Sequence, residues 1–350
     1  MYDCLKLKNF RGFRDFHIEL KPVTLISGKN NAGKTGLLES IFLFLDYAEP
    51  SVFLKLQGFR GVRLFELSSR NLWEPLFFNE DTSVPVCIEL GARSRITFSK
   101  NNSPTVANTI VKGHDGFKQA PNTNYPLSCI FKSGSYAFEG EYIVDGQNLT
   151  LSPSDGTNSP TLGLKVRYIG PHVAMTEAEV AESIGVLELS RGKERLIEIL
   201  GIIDKDISEL TVIMSRGMPN IYVGKKDGTK RPLSIFGDGI RKLLHIAITI
   251  LSSPNSVLLL DEIENGFHYT LFPKLWEAIS TLSHSENCQV VATTHSYECI
   301  EGAVEGLNAS GQQAEFTFAR IDKIENGEIK AKQFTHEMLE NALASNWEVR

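Results

Sequence analysis

Residues Gly28-Lys29-Asn30-Asn31-Ala32-Gly33-Lys34-Thr35 read G-x-x-x-x-G-K-T. A strand-like apolar run, Val23-Thr24-Leu25-Ile26-Ser27, precedes them, and Gly36-Leu37-Leu38-Glu39-Ser40-Ile41-Phe42-Leu43-Phe44-Leu45 follows as a buried helix. Strand, loop and helix in this order are the context a phosphate-binding P-loop requires. The glycines let backbone N–H groups curl around a triphosphate, and the helix N-terminus adds partial positive charge. Gly28, Asn30, Asn31, Ala32, Gly33 and Gly36 are therefore expected at the phosphates. Lys34 is expected on the β- and γ-phosphates and Thr35 on Mg²⁺.

Composition limits the alternatives. The chain has 350 residues and a net charge of −6, so no global positive field draws in nucleic acid. No run approaches the roughly 20 apolar residues of a membrane span. The opening Met1-Tyr2-Asp3-Cys4-Leu5-Lys6 lacks a signal-peptide core. A cytoplasmic protein without membrane contact is expected. The five cysteines show no C-x-x-C pair, which argues against a disulfide scaffold or zinc site; they read as buried small hydrophobes.

Residues 1–27 alternate like a two-strand meander entering the P-loop strand. The stretch 85–165 reads as strands with long polar loops, including a mobile turn at Ser152-Pro153-Ser154-Asp155-Gly156-Thr157-Asn158-Ser159-Pro160. Residues 174–215 read as helical from the spacing of Ile184, Leu187, Leu196, Ile199, Ile203, Ile207 and Leu210. A hairpin around Ile221-Tyr222-Val223 follows, then a helix from Ile240 to Leu251. Ser256-Val257-Leu258-Leu259-Leu260 reads as a central parallel strand, Leu271 to Leu282 as a helix, and Gln289 to Thr294 as a further central strand. After His295 the pattern predicts strands near Phe316–Arg320, Ile329 and Phe334, then a helix from His336 to Ala344.

Asp261 and Glu262 directly follow the apolar strand. Alone they would read as acids capping a turn. Beside a P-loop, Asp261 is expected to order Mg²⁺ and Glu262 to orient or deprotonate the attacking water. His295 ends the neighbouring strand, where α/β proteins bind ligands, and could contact the γ-phosphate. Gly237-Asp238-Gly239 open a helix whose free N–H groups make an anion site; taken alone, they read as a glycine-rich helix start with no ligand.

The order of these parts resembles ABC-type ATPases of the SMC/RecF/OLD group. Leu7-Lys8-Asn9-Phe10-Arg11-Gly12-Phe13 resembles the group's opening strand and arginine turn. Gly237–Lys242 resembles its signature, Leu258–Glu262 its Walker B strand, Asn265-Gly266 its D-loop and His295 its switch histidine. The signature departs from Ser-x-Gly-Gln: Gly237 takes the serine position and Ile240 the glutamine position. Arg11 reads equally as a turn arginine or a nucleotide contact. The form is most similar to stand-alone OLD-like AAA ATPases of prokaryotic defence loci, which lack a TOPRIM domain.

This resemblance implies an α/β fold: an ABC-type P-loop ATPase head, with an N-terminal antiparallel β section and an inserted β/helical arm or dimerisation region. The implied division is 1–84 and 233–350 for the ATPase and 85–232 for the insertion. It implies ATP and Mg²⁺ as cofactors and catalytic roles for Lys34, Glu262 and His295. Thr35 and Asp261 would hold the metal. Arg11, Gly237, Asp238 and Gly239 would join the P-loop residues at the nucleotide. It further implies an ATP-dependent homodimer or higher oligomer that regulates or scaffolds a separate effector, a nuclease or toxin, in anti-phage defence. A TOPRIM domain needs roughly a hundred residues, the size of a small domain. None is read after His295, so no nuclease site is expected. The alternative is a RecF/SMC-like ATPase of DNA repair or recombination, with DNA across the dimer face. The basic residues Arg60, Arg63 and Arg70, and Lys225, Lys226, Lys230 and Arg231, would then matter; otherwise they are solvated loops.

Overall fold

A computed structural model describes residues 1–64, 66–103, 105–113, 116–154, 164–173, 175–190, 192–324 and 327–349. The meander before the P-loop is β1 (Cys4–Phe10) and β2 (Phe13–Glu19), followed by β3 (Val23–Ser27), whose five residues are all buried. The P-loop leads into α1 (Lys34–Asp46), then α2 (Val52–Phe59) and a short α3 (Ser69–Leu72). The β-rich stretch contains β4 (Val86–Leu90), β5 (Ser94–Lys100), β6 (Thr105–Gly113), β7 (Gly116–Asn124), β8 (Leu127–Ser133), β9 (Tyr136–Asp145) and β10 (Asn148–Pro153). Ser152 and Pro153 of the expected mobile turn end β10, and its residues 155–160 lie outside the described residues.

Next come β11 (Val166–Ile169), α4 (Glu177–Glu188) and α5 (Gly192–Ile203). The side chain of Thr176 accepts from Glu179 N–H and Glu179 reaches back to Thr176 N–H, a capping box that starts α4. The helical reading of 174–215 then fails. Residues 207–215 form a strand, β12 (Ile207–Ser215), paired antiparallel with β13 (Met218–Lys225), which continues to β14 (Lys230–Pro232). Leu210 lies opposite Val223 and Val212 opposite Ile221. These cross-strand partners override the local helical spacing.

The remainder is α6 (Asp238–Leu251), β15 (Val257–Leu260), α7 (Phe272–Glu286), β16 (Gln289–Thr294), α8 (Tyr297–Ser310), β17 (Phe316–Lys323), β18 (Ile329–Thr335) and α9 (His336–Ala344). Helix α8 is absent from the sequence reading. Ser296 caps it by accepting from Cys299 N–H, and Gly311, at φ 71°, ends it. Three cysteines, Cys129, Cys288 and Cys299, are buried as expected, whereas Cys4 and Cys87 are only half-buried.

Two sheets organise the core. The antiparallel sheet runs β10-β9-β8-β5-β4-β1-β2, so the segment from residue 86 continues the N-terminal meander through β1 and β4. The second sheet runs β11-β15-β16-β3-β17-β18, with β17–β18 its antiparallel pair. Helix α1 lies between them: Leu37, Ile41 and Phe44 share a core with Leu5, Ile88 and Phe131 of one sheet and Leu259 and Val291 of the other. The far face of the second sheet packs Leu258, Leu260 and Val290 against α6, α7 and α8. This layering is a mixed α/β fold.

Helices α7 and α8 approach closely because α8 carries glycines at the contact. A Cβ on Gly306 would lie 2.7 Å from Trp276 Cβ. Gly306→Val is expected to lower stability by about 2–3 kcal/mol through overpacking, read as a lower urea midpoint. An unchanged midpoint would refute the close approach.

Candidate functional site

The C-terminal ends of β3, β15 and β16 lie side by side and carry Gly28, Asp261 and His295, where open α/β sheets bind ligands. The P-loop needs its glycines. Gly33 sits at φ 99°, and a Cβ there would meet Ile329 Cδ1 at 2.7 Å. A Cβ on Gly28 would strike the Ile321 carbonyl. Gly33 offers α1 no side-chain cap, which leaves the first N–H groups of the helix open to an anion.

A cleft of about 840 Å³ opens over this loop. Arg11, Asn30, Asn31, Gly33, Lys34, Thr35, Gly36, Asp261 and Glu262 line it, so most of the predicted site residues meet there. Ala32 is buried beneath the loop, its N–H bonded to the Lys29 carbonyl at 3.1 Å. Lys34 Nζ donates to the carbonyls of Gly28 (2.6 Å) and Lys29 (3.1 Å). Burial pulls its pKa down, and Glu264, Asp261 and Glu262 pull it back up.

Asp261 is held by hydroxyls on both oxygens. Thr35 Oγ1 donates to Oδ2 at 2.8 Å and Thr293 Oγ1 to Oδ1 at 2.5 Å. Tyr168 OH also donates to Oδ2, at 2.9 Å. Glu262 adopts φ 50°, a costly conformation for a non-glycine residue. Its N–H donates to Thr293 Oγ1 (3.0 Å), and its Oε2 accepts from Asn265 Nδ2 (2.6 Å). Lys242 Nζ donates to the carbonyls of Glu262 (2.9 Å), Ile263 (3.0 Å) and Asn265 (3.0 Å), pinning the turn after the acids. Burial lowers the Lys242 pKa to about 8.

Other predicted residues lie elsewhere. His295 borders a separate cavity of about 420 Å³ with Gly28, Lys29 and Asn30. Its Nδ1 pairs with Glu264 Oε1 at 2.5 Å, and its N–H donates to the same oxygen. Gly237, Asp238 and Gly239 line neither cavity. They start α6 beside the turn after β15, with Gly239 against Phe267 and Asp238 against Gly266. Gly237 and Asp238 are exposed.

Several residues at the site escaped the sequence reading: Glu39, Tyr168, Glu264, Thr293 and the pairing of Arg60. Arg11, at φ 49°, pairs through Nε with Glu39 Oε2 at 2.6 Å. Arg60 clasps the same carboxylate with Nε (2.7 Å) and a terminal nitrogen (2.9 Å). The Glu39 side chain is fully buried. Burial lowers the Arg11 pKa to about 10, while the hydrogen bond to Glu39 raises that of Arg60. Breaking such a buried pair strands its partner charge. Glu39→Gln is expected to lower stability by about 3 kcal/mol, read by denaturant unfolding; an unchanged midpoint would show that the arginines need no carboxylate.

The chain is similar to several known proteins. Residues 1–103 match a family model described as an AAA ATPase domain. Residues 141–301 match one described as an AAA domain, putative AbiEii toxin, Type IV TA system. An ATP/GTP phosphatase of Helicobacter pylori is 23% identical over 327 residues, covering 86% of this chain and 87% of that protein. An uncharacterized protein of Methanocaldococcus jannaschii is 43% identical over 58 residues, 16% of this chain and 26% of the other. Among solved structures, an Smc head bound to the C-winged helix domain of ScpA matches in fold. Its TM-score is 0.51 at 13% identity, covering 98% of this chain and 99% of that one. The fold is that of an SMC head. The matches support an ATPase with an SMC-head-like fold. Among the described residues no helix is long and apolar enough to cross a membrane.

Proposed function

We propose that this chain is a Mg²⁺-dependent ATPase that closes into a dimer on ATP and regulates or scaffolds a separate effector. The observation that carries the catalytic part is the 2.8 Å contact between Thr35 Oγ1 and Asp261 Oδ2 at the foot of an uncapped helix. These are oxygen donors, the set that Mg²⁺ takes alongside phosphate oxygens. Bound there, Mg²⁺ would supply charge neutralisation to the β- and γ-phosphates. Lys34 and the loop N–H groups would hold the phosphates, and Glu262 would orient and deprotonate water.

The dimer rests on what the cleft lacks. Gly237–Gly239 lie outside their own P-loop cleft with their first two residues exposed. A second copy can bring that helix start to the phosphates, and Arg11 would join the wall. The effector role draws on the toxin–antitoxin description of one matched model and on the Smc head solved with a bound partner. The DNA-binding alternative is less favoured. Lys225 pairs with Asp204 at 2.9 Å and Lys230 with Glu209 at 2.7 Å, so those cations already have carboxylate partners.

Light scattering of the wild-type protein with a non-hydrolysed ATP analogue and Mg²⁺ tests the reading. A doubled mass supports it, and an unchanged mass at saturating analogue overturns the two-copy site.

A further inference from the structure

We infer that Tyr168, on β11, is a positioning residue for the Asp261 carboxylate, and so for a divalent cation at the nucleotide. The inference rests on the reading of the cleft as a Mg²⁺–ATP site. Asp261 follows β15, and β11 is the strand beside it, pairing Tyr168 with Leu259 and Ile169 with Leu260. Asp261 N–H donates to the Ile169 carbonyl at 2.8 Å. The strands therefore bring the tyrosine hydroxyl to the acid through fixed backbone.

A carboxylate held by one hydrogen bond can rotate about its last torsion. Here Thr293 holds Oδ1 and Tyr168 holds Oδ2, leaving the Thr35 side of Oδ2 facing the loop. Thr35 belongs to the P-loop, whereas Tyr168 and Thr293 approach from the sheet. Two of the three hydroxyls that hold the acid therefore stay in place whatever Thr35 binds. Outer partners of this kind set metal affinity by holding the ligand in place.

The hydroxyl is itself held. The Tyr168 ring stacks on Phe59 with centroids 3.7 Å apart and planes 8° from parallel. The residue is 7% exposed. A phenol hydroxyl is a donor near neutral pH, and an ionised carboxylate only accepts. Phe59 ends α2, and the next residue is Arg60, clasped to Glu39 of α1. The stack thereby ties the cation site to the helix behind the P-loop.

The test is Tyr168→Phe, which keeps the stacked ring and removes only the hydroxyl. Mn²⁺ binding in the presence of ATP is titrated by the electron paramagnetic resonance of free Mn²⁺. ATP affinity in EDTA and metal-free melting are measured beside it. The expected result is Mn²⁺ affinity about tenfold weaker, with ATP affinity in EDTA and metal-free melting close to wild type. Wild-type Mn²⁺ affinity in the variant overturns the inference, whether or not melting falls, since a purely structural tyrosine would move only the melting. If wild-type protein binds ATP but shows no ATP-dependent Mn²⁺ binding, the Mg²⁺ reading fails and takes this inference with it. Tyr168→Leu, which also removes the stack, is expected to lower metal-free melting, separating packing from positioning.

Discussion

Lys34→Ala is expected to weaken ATP binding by roughly 30-fold or more while leaving the fold intact. The ammonium sits on two loop carbonyls and feels the charges of Glu264, Asp261 and Glu262. It is thus a charged donor already held in place at the cleft. Truncating one partner of a buried, charge-assisted contact costs about 2–5 kcal/mol, and each 1.4 kcal/mol is about tenfold in affinity. A fluorescent-nucleotide titration should therefore show weakening of roughly 30-fold or more. Alanine favours helix at this first position of α1, so nucleotide-free melting should barely move. Unchanged nucleotide affinity would remove the assignment of the P-loop as the phosphate site.

Glu262→Gln should have the opposite signature, tight ATP binding with hydrolysis nearly lost. Glutamine matches glutamate in shape, and its side-chain oxygen can still accept from Asn265 Nδ2, as Oε2 does at 2.6 Å. The left-handed backbone at Glu262 is pinned by Thr293 and Lys242 and does not depend on the carboxylate charge. What the amide loses is the capacity to take a proton from water. Loss of a general base lowers turnover by about 10²–10⁴-fold. Under the two-copy reading, the ATP-bound dimer then persists because the step that reopens it is blocked. Size-exclusion chromatography with ATP and Mg²⁺ should show a stable species of twice the mass. A variant that still runs as a monomer would sink the shared-site proposal, and one that hydrolyses ATP at the wild-type rate would remove Glu262 from the base role.

The parts legible in the sequence were those whose determinants sit next to one another along the chain. The P-loop, the apolar run before Asp261 and the strand before His295 each carry their own pattern, and each forms the expected element. Failures came where a distant partner decides. Ile203, Ile207 and Leu210 are spaced as on a helix, yet pairing with Ile221 and Val223 makes residues 207–215 a strand. Helix α8 contains Gly302 and Gly306, which weaken any helical signal, and the reason for both is the nearness of α7. Tyr168 carries no local mark at all. Its neighbours in the chain are those of an ordinary buried strand, and its contact with Asp261 joins residues 93 positions apart.

The arrangement of the parallel strands has a consequence for how the molecule comes to exist. Strand β16 lies between β3 and β15, so Thr35 and Asp261 meet only across a third strand, and they are 226 positions apart in the chain. Loop closure over such separations must be met before the contact returns anything. A chain emerging during synthesis holds a complete P-loop long before it holds the Asp261 carboxylate beside it. If the cleft takes nucleotide with a cation as proposed, the pair would favour only the finished assembly, and at 100 times its dissociation constant would add about 2.7 kcal/mol to the native state alone. On that reading, the ligand would stabilise only the copies whose two ends have found each other.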